Sequence, residues 1–316
     1  MMHSNHSRGR RLLRAVGAAA LAFTLLALIP AARAELNVVA TMPDLGALAE
    51  AVGAGKIKVT SLARPTEDAH FVTAKPSFIR VLNKADVLIE GGAELEIGWL
   101  PPLVDGARNR KIIRGGAGRV DASSGLQLLD VPTGPIDRSQ GHVHAVGNAH
   151  YLLDPVRAGQ AAGNLADAFS RLDPSNANAY RAALKTFREE LTKKLSAWET
   201  RLKPYAGTKV VTYHKSFDYL LDRFRLEFAG TIEPKPGVEP SPTHINSLVP
   251  QLKQQGVRLI LIEEHRPTKT PQYVAEKAGA KLMVLPHFPG SHRASETYLE
   301  WMDHLVIELV DALKQP

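Results

Sequence analysis

The stretch DPSNANAYRAALKTFREELTKKLSAWETRLK (173–203), closed by Pro204, decides how this chain is organised. Its apolar residues Tyr180, Leu184, Phe187, Leu191, Leu195, Trp198 and Leu202 recur at steps of four or three, the period of one face of an α-helix. Asp173 reads as its N-cap and Pro174 as a first-turn residue, while Glu199 and Arg201 keep the opposite face wet. At 1.5 Å per residue the segment predicts a rod of roughly 45 Å, the width of a whole domain. A long surface helix of a single domain fits the same spacing. A rigid strut between two halves is the reading we adopt, because strand–helix alternation lies on both sides of it.

Upstream, LNVVATM (36–42), KVTSLA (58–63) and DVLIEGG (86–92) read as strands alternating with helical patterns at 44–53 and 78–85. The segment 114–149, rich in Gly, Ser, Pro and His, reads as mostly loop, and 155–172 as a helix leading to the strut. Downstream, TKVVTYH (208–214), LEFAGTI (226–232), VRLILIEE (257–264) and AKLMVLPH (280–287) read as strands, with helices at 216–224, 244–256, 270–279 and the C-terminus. Short strand–helix units imply parallel sheets with crossovers. The expected fold is α/β: two (β/α) lobes of similar topology joined by one long rigid helix. The expected boundaries are a signal peptide at 1–34, a first lobe at 35–172, the linking helix at 173–204 and a second lobe at 205–316.

The first 14 residues carry four arginines and no acid; an apolar run from Ala15 to Ile29 follows, then Ala32-Arg33-Ala34, an A-x-A cleavage pattern. The run is too short to span a bilayer comfortably, and the general secretory route with cleavage after Ala34 is expected. Cysteine is absent, which excludes a disulfide framework and a lipid-anchored cysteine at the cleavage site. Periplasmic localisation is the simplest reading. Removing the leader's five arginines leaves 34 of 39 basic residues against 32 acids, so the mature charge of about +2 gives no argument for nucleic acid or an anionic membrane.

Open parallel sheets bind ligands at the carboxyl ends of their strands. His70 lies in the loop after KVTSLA, His150 in GNAHYLLDP before a helix, and His214 at the end of KVVTYH. A lone histidine is more often structural. Three at comparable positions in two lobes match the donor set of a Zn²⁺ site with a fourth position open to a carboxylate or water.

The ordered segments PTEDAH (65–70), GGAELEIGWL (91–100), GNAHYLLDP (147–155), VVTYHKSFDYL (210–220), GVEPSP (237–242) and LILIEE (259–264) carry a resemblance. The chain resembles the periplasmic zinc/manganese substrate-binding proteins of metal-uptake ABC transporters, the ZnuA-like family (cluster A-I), over essentially all of its mature length. The resemblance implies a metal site in the interlobe cleft, with the ligands at His70, His150 and His214. It also implies delivery of the ion to a membrane ABC permease, action as a monomer, and in some cases supply by a periplasmic metallochaperone. Many relatives add a carboxylate from the loop after the last strand; here that loop is HFPGSHR (287–293), with the acid replaced near Gly290. The fourth position is left open among water, Glu67, Asp68 and His287. A nitrogen-rich site favours Zn(II), with Mn(II) as the alternative. His142 and His144 in GHVH are a reduced version of the histidine-rich loop of zinc-binding relatives, with weak auxiliary metal binding or a merely solvated loop as their two readings.

Glu263 reads as a structural acid or a brace for a ligand imidazole, Asp154 as an N-cap, and His244 as outside the site. His265 and His292 read as surface residues. A mononuclear zinc hydrolase would use the same three imidazoles, but no HExxH helix or Gly-x-Ser-x-Gly elbow supports it. No repeats support a surface adhesin. A non-enzymatic capture protein is the expectation.

Overall fold

A computed structural model describes residues 35–134, 145–291 and 297–314. The expected signal peptide (1–34), His142, His144 and His292 lie outside them. The first lobe contains strands β1 (Leu36–Ala40), β2 (Ile57–Ser61), β3 (Val87–Glu90) and β4 (Arg119–Asp121), with helices α1 (Pro43–Val52), α2 (Pro76–Asn83) and α3 (Leu100–Ala107). Its sheet is parallel throughout, in the order β2-β1-β3-β4. Helix α4 (Pro155–Leu172) then leads to the long helix α5 (Ala177–Leu202). The second lobe holds β5 (Lys209–Thr212), α6 (Asp218–Arg223), β6 (Glu227–Thr231), α7 (Pro242–Gln255), β7 (Leu259–Glu263), α8 (Lys269–Ala278), β8 (Lys281–Leu285) and α9 (Tyr298–Lys314). Its parallel sheet repeats the order of the first, β6-β5-β7-β8.

The strand sequences explain their burial. Along β7, LILIE is buried at every position, so both sheet faces are covered. Leu259 and Leu261 point into the large core, while Ile260 and Ile262 meet Val211, Ile245 and Val274 on the other face. The large core runs through both lobes, from Leu48 and Leu165 through Phe187 to Trp301 and Leu305.

Helix α5 follows the expected face but not the expected start. Tyr180, Phe187, Leu191, Trp198 and Leu202 are buried, with Leu184 and Leu195 partly so. The α-helix is 26 residues, roughly 39 Å at 1.5 Å per residue, behind a 3₁₀ turn at Pro174–Asn176. Asp173 does not cap it. The carboxylate accepts instead from Ser175 Oγ at 2.6 Å, Asn176 Nδ2 at 2.7 Å and Tyr180 OH at 2.9 Å, tying the α4–α5 turn to the core. Along its length α5 lies against α1, α4 and α9. Arg188 donates to Gly159 O of α4 at 3.1 Å, and Trp198 Nε1 donates to Asp303 of α9 at 2.7 Å.

Segment 114–149 is not all loop, because β4 pairs with β3 from Leu88↔Arg119 to Glu90↔Asp121. Three residues, RVD, are too few to show an alternation.

Candidate metal centre

All the candidate donors hang from loops at the carboxyl ends of strands or from the turn before α4. After β2, the Asp68 carboxylate builds a tight turn: Oδ1 accepts the His70 backbone N–H at 2.9 Å and also meets His70 Nδ1 at 2.9 Å. One oxygen thus fixes both backbone and ring, and turns Nε2 outward. Trp99 Nε1 holds the same turn through Ala69 O at 3.0 Å.

His150 opens the 3₁₀ turn Tyr151–Leu153. Its backbone N–H donates to Asn148 Oδ1 at 2.9 Å, and Asn148 Nδ2 donates across to Lys215 O at 2.8 Å. The second histidine is therefore tied to the residue after the third.

His214 follows β5 with Nδ1 hydrogen-bonded to Glu233 Oε1. The other oxygen of Glu233 accepts Gly237 N–H at 3.1 Å, where φ is +75°, a conformation that suits glycine. This gives the GVEPSP segment a physical role. Gly237 anchors Glu233, Glu239 accepts from Tyr213 OH at 2.9 Å, and Ser241 caps α7.

The structure brings His70, His150 and His214 together. One donor atom from each lies within 4.8 Å of the others, and ring centres are 5.1, 5.3 and 5.4 Å apart. Nitrogens 2.0–2.1 Å from a tetrahedral ion put ring centres about 5 Å apart, so the trio has the spacing of a first coordination shell. His150 and His214 are each 7% exposed. Burial lowers the His70 pKa against the pull of Asp68. Burial would also lower that of His214, but Glu233 outweighs it and the net shift is upward.

Of the possible fourth donors, Glu67 is taken up by Arg64, whose backbone N–H and guanidinium donate to it at 2.8 to 3.2 Å. Asp68 is engaged behind His70. His287, 5% exposed, places its ring 5.2 Å from that of His150, and burial holds its pKa well below normal. Gly290 sits in the same loop at φ +80°.

The remaining residues divide clearly. Glu263 accepts from Ser216 Oγ and lies 3.7 Å from Arg266 Nε, so it braces loops. Asp154 caps α4 at Val156 N, and also receives Arg157 and the Nε and Nη2 donors of Arg223, at 2.7 and 2.9 Å; the sequence showed only the cap. His244 Nε2 contacts Ile232 O at 3.0 Å at the start of α7. His265 corrects the sequence reading. It is not a surface residue: its side chain is 11% exposed, Nε2 lies 3.5 Å from Asp68 Oδ2, and its ring is 6.1 Å from that of His287. Sequence reasoning missed Glu233, which lies in a proline-laden loop; its signal was GVEPSP four residues on.

The high-affinity zinc uptake system protein ZnuA of Yersinia pestis is 25% identical over 311 residues, covering 94% of this chain and 97% of its own. A crystal structure of ZnuA superposes with a TM-score of 0.73 at 21% identity, over 88% of this chain and 99% of that one. The solute-binding protein FpvC from P. aeruginosa, in complex with Ni²⁺, gives 0.75 at 23% identity over 89% and 97%. Both structures share the fold described above. Residues 38–312 match the family of the periplasmic zinc-uptake complex component A, ZnuA, and the chain belongs to that family.

Proposed function

We propose that this protein captures one Zn²⁺ in the periplasm through His70, His150 and His214 and passes it to a membrane ABC permease for import. The observation that carries the proposal is the convergence of three imidazole donors within 4.8 Å. Two of them are oriented by carboxylates, Asp68 and Glu233. A divalent ion there meets neutral nitrogens in front and two negative charges behind, which raises ligand basicity. The zinc-uptake role of the Yersinia pestis relative points the same way. An all-imidazole face favours Zn²⁺ over Mn²⁺, which prefers more oxygen. The fourth position falls to His287 or water, since Glu67 and Asp68 are engaged elsewhere.

Residues 1–34 act as the export signal, removed after Ala34, and 35–172 and 205–316 act as the lobes about the linking helix. The mature protein works as a monomer, alone or loaded by a periplasmic metallochaperone. Because α5 packs on α4 and α9 along its length, release proceeds through loop movements and small lobe shifts rather than wide hinge closure.

Metal content tests this. Mature protein (35–316), stripped with chelator and offered equal zinc and manganese, retains about one zinc per chain by mass spectrometry, and His150→Ala lowers this well below one. Preferential manganese, or no metal, overturns the assignment.

A further inference from the structure

We infer that His265, His287 and Asp68 form a second, weaker station for the same borderline divalent cation, occupied in alternation with the histidine trio during loading or release. The inference rests on the trio being the cargo site.

His265 stands on the turn after β7 and His287 on the loop after β8, so both come from the second lobe, whereas Asp68 comes from the first. Both ring nitrogens of His265 and Nδ1 of His287 are buried without a hydrogen bond. Buried polar atoms in native structures almost always have partners, and three such nitrogens on two neighbouring rings call for one. The 3.5 Å between His265 Nε2 and Asp68 Oδ2 is long for a hydrogen bond. It is close to the roughly 3.4 Å between two donors that share a tetrahedral zinc ion at 2.0–2.1 Å. Two imidazoles and one carboxylate oxygen are a normal zinc donor set.

The station adjoins the trio. Ring centres run from His150 to His287 at 5.2 Å and from His287 to His265 at 6.1 Å, so an ion leaving His150 finds another imidazole at each step. Asp68 joins the two positions, with Oδ1 on His70 and Oδ2 toward His265.

Three features make the station the weaker one. Its rings are about 1 Å wider apart than those of a closed tetrahedral shell. Arg266 Nη2 lies 3.3 Å from the same Asp68 oxygen and opposes a second cation there. Two divalent ions at this separation repel strongly, so the stations exchange one ion instead of holding two.

The test is a comparison of His265→Ala in two backgrounds, the mature protein and its His214→Ala variant, both also carrying His142→Ala and His144→Ala to silence the GHVH histidines. Zinc affinity is read by competition with a chromogenic chelator, and circular dichroism confirms folding. His265→Gln, which keeps the side chain's bulk, serves as the second variant. With the trio broken, the remaining zinc depends on His265, and either substitution lowers affinity a further ~10-fold or more. In the parent, the same substitution has an effect at least ~10-fold smaller. Equal losses in both backgrounds make His265 only a support for Asp68 and overturn the station. So does no loss in either, or the disappearance of all zinc binding with His214→Ala alone. A parent that binds no zinc sinks the capture reading itself, and is distinguishable from all of these.

Discussion

His70 and His214 reach the cleft from opposite lobes, and each leans its Nδ1 on a carboxylate, yet their pKa values move in opposite directions. The difference lies behind the carboxylates. Asp68 divides its charge among His70, His265 and Arg266; burial would raise its own pKa, but these partners hold it well below the usual range. What remains for His70 does not offset burial of the ring. The Glu233 carboxylate accepts the Gly237 backbone N–H with one oxygen and directs the other at His214. Burial is again the largest influence, but here the carboxylate prevails. The same residue pairing thus lowers the pKa of one imidazole and raises that of the other, so a metal bound there competes with a proton up to a higher pH in the second lobe than in the first.

The largest effect that probes this contrast is loss of a donor. His70→Ala and His214→Ala each weaken zinc binding by more than the ~10- to 100-fold typical of outer supports, measured by chelator competition. His144→Ala changes it far less. If the contrast is real, His214→Ala also flattens the pH dependence, whereas His70→Ala leaves it steep. Next come the supports themselves: Glu233→Gln costs ~10- to 100-fold at pH 8 and reduces the slope, while Asp68→Asn costs about 10-fold and keeps it.

The slope follows from the signs. Below the raised pKa of His214, zinc competes with a proton there, so affinity falls by up to about tenfold per pH unit as pH drops below about 6.5, and more steeply at the lower pH where His70, its pKa lowered, also takes up a proton. A flat profile refutes imidazole ligation. In metal-free protein the sign reverses. The charged His214–Glu233 pair stabilises the fold fully below the unfolded histidine value of about 6.5, and that contribution is lost as pH rises through the folded value. Thermal melts of stripped protein therefore lose this contribution as pH rises above about 6.5, while zinc-loaded protein gains stability as pH rises.

Much of this was legible in the sequence because its signals are periodic. Steps of three and four marked α5, and runs such as LILIE marked strands buried on both faces. The three-residue β4 carried no period, and α3, opening LPP, offered no clear repeat. The trio stood out because strand ends locate sites and because family segments surround each histidine. His265 was not legible. Its segment EEHRP reads as a polar turn, and only the packing of the second lobe against the Asp68 turn buries it. Asp173 misled for a related reason: its neighbours invite a cap, but Tyr180, one helical turn into α5, takes the carboxylate from within the core.

The smallest expected effect asks whether the contrast is local or depends on how the lobes are held. Asp303 on α9 accepts from Trp198 Nε1 at 2.7 Å and pairs with Lys194, joining the second lobe's last helix to the strut. The Lys194 pair is about one-third exposed and adds little. Losing the partner of a buried indole N–H costs about 1 kcal/mol, so Asp303→Ala lowers stability by about that amount in denaturant titrations. If α5 is a stiff strut whose position is fixed by many contacts along its length, zinc affinity and its pH slope stay within about twofold of the parent, because Asp303 pairs with Trp198 and Lys194 and, among the described residues, shares no partner with Asp68 or Glu233. If the slope changes with Asp303→Ala, the lobes are coupled through the strut, and the opposite pKa shifts of His70 and His214 belong to the arrangement of the lobes rather than to the two carboxylates.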